Sequence, residues 1–206
     1  MKLALSSIFI GPKFSMFLEP RVGEGSRGWI EVISGPMFSG KTEELLRRLR
    51  RAKIANVKMA IFKPKLDIRY GQDRIVSHDA NYFPSLPVEK AADIRRHAKN
   101  AELVAIDEAQ FFDYEIIEVC EELALKGARV ICTGLDMDYL GKPFGPMPQI
   151  FAIANYITKI HAICVQCGSP GTHSFRTIAN KEKVMLGELD TYEARCRYCF
   201  NEGMNE

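Results

Sequence analysis

Two stretches of this 206-residue chain place chemically capable residues at telling intervals. The first, GPMFSGKT from Gly35 to Thr42, fits G-x-x-x-x-G-K-[ST]. A loop of this kind turns backbone amides toward phosphate oxygens at the start of a helix, sends a lysine to the outer phosphates and offers a hydroxyl to Mg²⁺. Gly35, Pro36, Met37, Phe38, Ser39 and Gly40 would form the cradle, with Lys41 and Thr42 in the two side-chain roles. The second stretch is VAIDEAQFF, Val104 to Phe112. An apolar run that ends in a carboxylate suits a metal ion at the tip of a buried strand, so Asp107 is expected on the Mg²⁺ of a bound nucleoside triphosphate. Glu108 then needs a task of its own near the γ-phosphate. It either polarises water for hydrolysis or takes the proton from an attacking hydroxyl. Of the adjacent Phe111 and Phe112, one is expected in the core and one beside the reacting centre, against a flat ring.

A third pattern lies in the cysteines. Four of the six form CVQC (Cys164, Cys167) and CRYC (Cys196, Cys199). Two such pairs read as a tetrahedral Cys₄ zinc site, and because four thiolates leave no open position the metal would be structural. Disulfides would require an oxidising compartment, for which the sequence carries no signal. Cys120 and Cys132 read as core residues. A ribbon of this type serves either as a nucleic-acid appendage or as the anchor of a loop thrown over the nucleotide site. The segment from Gly168 to Arg195 is neither strongly basic nor studded with aromatics.

These residues need a scaffold. WIEVIS (from Trp29) reads as a strand, then the glycine-rich turn, a helix from about Lys41 to Ala55, and the strand VKMAIF (from Val57). A polar, turn-rich stretch from Lys63 to Pro87 is long for a structureless loop and therefore a candidate functional segment. A helix near Glu89 to Lys99, the strand ELVAID, a helix from about Asp113 to Lys126 and the strand ARVICTGL follow. A loop from Asp136 to Pro148, a helix at about Gln149 to Tyr156 and a last strand TKIHAI complete the set. Nearly continuous apolar strands alternating with helices predict an α/β fold with a parallel sheet covered on both faces.

Composition agrees with one folded domain and a small appendage: 47% hydrophobic and 26% charged residues are ordinary globular values, and the net charge is +2. No basic footprint for nucleic acid stands out. The cluster RRLRRAK, Arg47 to Lys53, shares its helix with Leu45, Leu46, Leu49 and Ile54 and reads as a solvated face. No run approaches the roughly 18 apolar residues of a membrane helix. The first residues, MKLALSSIFIGPK, start with a short apolar run, but Pro12 and Lys13 follow at once without a small-residue cleavage site. A flexible extension over residues 1–27, or a start at Met16, is the expectation, with the protein in the cytoplasm.

The acid pair leaves a rival open, since DEAQ has the look of a helicase or ATPase box. Such motors couple two nucleotide-binding domains or assemble rings, and one P-loop in a chain of this length does not supply two domains. Taken in order, MFSGKT, FKPKLDIRY, VSHDAN, AIDEAQFF, GLDMDYLGKPFGP and the two C-x-x-C pairs closely resemble the zinc-containing, type II thymidine kinases in their bacterial form, over about Gly28 to Cys199.

That resemblance implies a P-loop (RecA-like) core over residues 28–160 and a zinc-ribbon lasso domain over residues 161–206. It implies transfer of the γ-phosphoryl group of ATP to the 5′-hydroxyl of thymidine or deoxyuridine, with Glu108 as base. Lys41 and Arg69 would stabilise transferred charge, and Asp67 and Gln110 would join the nucleotide site. Met37, Phe111, Leu135, Tyr139 and Phe144 would wall the pyrimidine pocket. Lys183, Val184, Met185, Leu186 and Gly187 would read the base edge through their backbone, with Tyr192 packed nearby. Ser77 and His78 fall in the region of the DIRY segment, without an assigned role. Mg²⁺ and structural Zn²⁺ as cofactors, a homotetramer and feedback inhibition by dTTP come with the same resemblance, and no nucleic-acid or membrane partner does.

Overall fold

The computed structural model describes residues 27–65, 74–76, 82–177 and 191–205. In chain order the elements are β1 (Trp29–Ser34), α1 (Lys41–Ile54), β2 (Met59–Pro64), β3 (Arg74–Val76), β4 (Tyr82–Pro84), β5 (Leu86–Val88), α2 (Ala91–His97), β6 (Leu103–Ile106), α3 (Ile116–Leu125), β7 (Arg129–Gly134), α4 (Met147–Ile153), β8 (Tyr156–Lys159), β9 (Ala162–Ile163), β10 (Pro170–Gly171), β11 (His173–Arg176), β12 (Tyr192–Arg195) and α5 (Arg197–Met204). A single 3₁₀ turn, Ala109–Phe111, follows β6.

Six strands form one sheet in the order β5-β2-β6-β7-β1-β8, and every neighbouring pair is parallel. Alternation along each strand feeds two separate cores. Leu103 and Ala105 of β6 face α1, where they pack with Ile33, Leu45, Leu46, Leu49 and Ile61. Val104 and Ile106 face the opposite side, with Ile94, Ile116, Val119, Met147 and Ile150 of α2, α3 and α4. Each such fully buried aliphatic side chain contributes about 1.5–3 kcal/mol. The arrangement explains why these strands are apolar on both faces. Acidic Glu43 and Glu44 in the first turn of α1, and Arg51 and Lys53 in its last, match the helix dipole.

The structure departs from the sequence reading in three places. The stretch from Lys63 to Pro87 is not all loop: β3 and β4 form an antiparallel hairpin, and β5 adds to the sheet edge beside β2. TKIHAI is not one strand. β8 ends at Lys159, where β1 runs out, and β9 leaves to pair antiparallel with β10. The break is held by the Ile160 amide donating to the Ser34 carbonyl at 2.7 Å. Gly35 is so near that a Cβ there would lie 2.2 Å from the Ile160 oxygen.

The third departure is Arg48, which does not lie on a solvated face. It is 1% exposed and donates to Glu31 Oε2 at 2.5 Å, to Glu44 Oε1 at 2.8 Å and to Thr158 Oγ1 at 2.9 Å. Arg129 and the Trp29 indole complete the shell of the fully buried Glu31, donating to its Oε1 at 2.7 and 2.6 Å. Cys120 and Cys132 are both buried, with sulfurs 3.6 Å apart.

Beyond β8 the chain builds a smaller unit from two antiparallel ribbons, β9–β10 and β11–β12, closed by α5. His173 stacks on Phe200 of α5 at 4.4 Å, and the Arg195 guanidinium lies 3.5 Å from the centre of the Phe175 ring.

Candidate active site and metal centre

The site gathers at the C-terminal ends of the parallel strands, where open α/β sheets bind their ligands. The phosphate loop leaves β1, the acid pair leaves β6, and β7 runs between them. Adjacent strands lie about 4.8 Å apart, which sets the loop and the acids roughly 10 Å from each other.

Gly40 takes φ 83°, a value that suits glycine, and brings the chain into α1. Phe38 takes φ 64° despite its bulk. The Ser39 hydroxyl donates to the Pro36 carbonyl at 2.8 Å, and Lys41 Nζ donates to the same oxygen at 2.7 Å. The lysine is thus folded over the loop, next to the first-turn amides of α1. A phosphate fits this donor set: an ammonium, the Thr42 hydroxyl and the positive end of a helix of 14 residues. The Met37 amide is engaged elsewhere, donating to Ser174 Oγ at 3.0 Å.

The two acids stand in different surroundings. Asp107 is buried, and its Oδ1 accepts from the Thr133 hydroxyl on β7 and from the Glu108 amide at 3.0 Å. Glu108 is half-buried and adopts the left-handed conformation, φ 51° and ψ 44°. Its Oε2 accepts from Gln110 Nε2 at 2.5 Å, while Gln110 Oε1 accepts from the Leu135 amide at 3.0 Å. Gln110 therefore joins the end of β6 to the end of β7. Room for it depends on glycine, because a Cβ on Gly134 would meet its Oε1 at 2.6 Å.

Phe112 is buried in the α2–α4 core, whereas Phe111 is half-buried and meets Phe144 edge-on, with ring centres 5.5 Å apart. Leu135, Tyr139 and Phe144 all lie on the loop between β7 and α4, which turns on buried Asp138 and its bonds from the Leu140 and Lys142 amides. Tyr139 lies under the Arg176 guanidinium, and Tyr192 accepts two bonds from the same group. Asp67, Arg69, Ser77, His78 and Lys183 to Gly187 lie outside the described residues.

One sulfur from each of Cys164, Cys167, Cys196 and Cys199 falls within 4.8 Å of all the others, and Cys167 and Cys196 are 3.7 Å apart. A tetrahedral ion with bonds of about 2.3 Å needs sulfurs about 3.8 Å apart, so the set fits. One pair sits in the tight turn that follows β9, where the Gly168 amide donates to the Cys164 carbonyl at 2.8 Å. The other pair opens α5, with Cys196 as its N-cap. Burial opposes ionisation of Cys164, but the backbone amides of Cys196, Cys167 and Gln166 outweigh it and bring its pKa down to about 6. Cys199, bonded to the Cys196 sulfur and partly desolvated, is pushed up to about 12. A cation is what allows such a cluster to lose all of its protons.

Comparison with known proteins agrees with this geometry. The family model described as thymidine kinase matches residues 28–200. The chain belongs to the thymidine kinase family. Among its relatives, the thymidine kinase of Rhodothermus sp. (strain ITI 518) is 55% identical over 176 residues, covering 85% of this chain and 83% of that one. The thymidine kinase of Porphyromonas gingivalis (strain W83) is 54% identical over 85% of this chain and 86% of its own. That of Bacteroides fragilis (strain YCH46) is 50% identical over 192 residues, 93% of this chain and 96% of its own. The last match reaches into the segment before Gly28, which the family model leaves out.

Three residues of this family member escaped the sequence reading: Thr133, Ser174 and Arg176. Thr133 had a signal, being the hydroxyl at the end of an otherwise apolar strand that neighbours the acid strand. Ser174 and Arg176 had none, since their partners lie 137 residues away on the phosphate loop and across a ribbon whose pairing the sequence does not announce.

Proposed function

We propose that this chain is an ATP-dependent thymidine kinase acting on thymidine or deoxyuridine in pyrimidine salvage. The observation that carries the reading is the division between the two acids at the end of β6. Asp107 is buried and tied to Thr133, which suits a fixed metal ligand, while Glu108 is half-buried, takes a left-handed backbone conformation and is steadied by Gln110.

Asp107 and Thr42 would hold magnesium, which would supply charge that offsets the negative phosphates. Lys41 exchanges the Pro36 carbonyl for a phosphate oxygen. The Glu108 carboxylate accepts the 5′-hydroxyl proton as that oxygen bonds to the γ-phosphorus. The bond from the γ-phosphorus to the β–γ bridging oxygen breaks, and ADP leaves. Phosphoryl transfer of this kind is chiefly positioning and charge stabilisation, so the base need only be close and unprotonated. Asp67 and Arg69 act at the phosphates. Leu135, Phe111, Phe144, Met37 and Tyr139 wall the ring pocket, and Lys183 to Gly187 read the pyrimidine edge beside Tyr192.

The four cysteines would hold zinc, which would anchor the lasso unit, residues 161–206, at both ends, while the kinase core spans residues 28–160. Thiols that must stay reduced to bind metal suit the cytoplasm. A homotetramer inhibited by dTTP follows from the resemblance alone. Among the described residues no helix is long and apolar enough to cross a membrane.

The test is product analysis. ATP with thymidine as sole acceptor should yield dTMP and ADP in equal amounts. ATP turnover that ignores thymidine but rises with single-stranded nucleic acid would replace this reading with a nucleic-acid-dependent ATPase.

A further inference from the structure

We infer that Arg176 is a positioning residue for the nucleoside ring, acting through Tyr139 and Tyr192; this rests on the kinase reading above. Arg176 closes β11 and stands opposite Tyr192 in the β11–β12 ribbon. It is 8% exposed, as is Tyr192. Its guanidinium carbon lies 3.6 Å from the centre of the Tyr139 ring, and its Nη2 and Nε donate to the Tyr192 hydroxyl at 2.8 and 3.2 Å. One buried planar cation thus specifies two aromatic side chains from separate parts of the chain: a loop of the sheet domain and a strand of the metal-bearing unit.

Two further contacts hold this geometry. The Thr177 amide donates to the Thr191 carbonyl at 3.0 Å and closes the ribbon immediately beyond Arg176. On the other side, Gly141 brings the Tyr139 loop against α5, where a Cβ would lie 3.1 Å from the Phe200 ring. With one face of the Tyr139 ring covered by the guanidinium, the other is the face the ring can offer to a nucleoside. Only arginine combines the required features, since a lysine ammonium neither lies flat on a ring nor presents two donors in one plane. The aromatic residues that Arg176 holds, Tyr139 and Tyr192, belong to the proposed nucleoside side of the site, so its influence should fall on the nucleoside rather than on ATP.

The experiment measures steady-state kinetics of the full-length, zinc-loaded protein as Arg176→Lys and Arg176→Gln. Arg176→Lys should raise KM for thymidine about tenfold, with KM for ATP within about twofold of wild type and zinc content and melting temperature near wild type. Arg176→Gln keeps a planar donor group but ends short of the guanidinium's place over Tyr139, so it should raise KM for thymidine at least as much as Arg176→Lys. An unchanged thymidine KM in a folded variant overturns the inference, as does an equal rise in both KM values, or failure of both variants to fold. A wild-type chain that phosphorylates no thymidine overturns the kinase reading together with this one. An active wild type with unaffected variants overturns this one alone.

Discussion

Glu108 occupies a backbone conformation that costs a residue with a side chain on the order of 1–3 kcal/mol, and its neighbours explain how it persists. The Asp107 carboxylate accepts its amide, and Gln110 holds its side chain. As the base of the proposed reaction, Glu108→Gln should lower phosphoryl transfer about 100-fold or more with ATP affinity nearly unchanged, as read by single-turnover kinetics beside nucleotide binding. Near-normal turnover would remove it from that role. Gln110→Ala separates support from chemistry. It strands the Leu135 amide, which should cost about 1–3 kcal/mol of stability in urea denaturation, and frees Glu108, so kcat should fall more than either KM changes. The DEAQ string pointed to both carboxylates, but the left-handed turn at Glu108 and the different partners of the two acids are not readable from residue types.

At the scale of elements, the buried cluster around Glu31 ties α1, β1, β7 and β8 together through Arg48, Arg129 and Thr158. Glu31→Ala would remove the buried counter-charge that Arg48 and Arg129 share, while Arg48 keeps its bond to Glu44. Loss of one member of a buried ion pair typically costs about 3–5 kcal/mol, so thermal and urea unfolding should show a shift of that order. A change below 1 kcal/mol, roughly the worth of an exposed pair, would mean that water reaches the cluster. The parallel sheet itself was legible because apolar strands alternate with helices. The burial of Arg48 was not, since the basic run of α1 has the same spacing whether its arginines face water or a buried acid. TKIHAI misled for a related reason: its apolar alternation continues, but the partner strand stops at Ser34.

At the scale of the whole molecule, the cysteine-bearing unit reaches the glycine-rich loop after β1, because Ser174 of β11 accepts from the Met37 amide. Elemental analysis should find about one zinc per chain. Chelation should unfold the ribbons and α5 while the parallel sheet persists, giving two separate transitions in hydrogen exchange, and should weaken ATP binding several-fold as Ser174 is released. Loss of zinc with no change in exchange would make the metal dispensable to the fold. The pH sign follows from the thiols. Metal-free Cys164 titrates at about 6 and Cys199 at about 12, so zinc uptake near neutrality must release protons, and affinity should fall as pH is lowered. A chromophoric chelator titrated between about pH 6 and 8 measures this, and a pH-independent affinity would contradict four-thiolate binding.

The sequence by itself determined the phosphate loop, the acid pair, the two cysteine pairs and the order of apolar strands and helices. Each of these is local: its spacing is set within a few residues by a turn, a strand or a metal knuckle. What only the tertiary structure decided is who holds these parts in place. Thr133 reaches Asp107 across adjacent strands, Gln110 bridges two strand ends, Ser174 meets the phosphate loop, and Arg176 joins Tyr139 to Tyr192. Such pairings depend on strand order and register, which bring together residues far apart in the chain, and no local pattern of residue types encodes that distance.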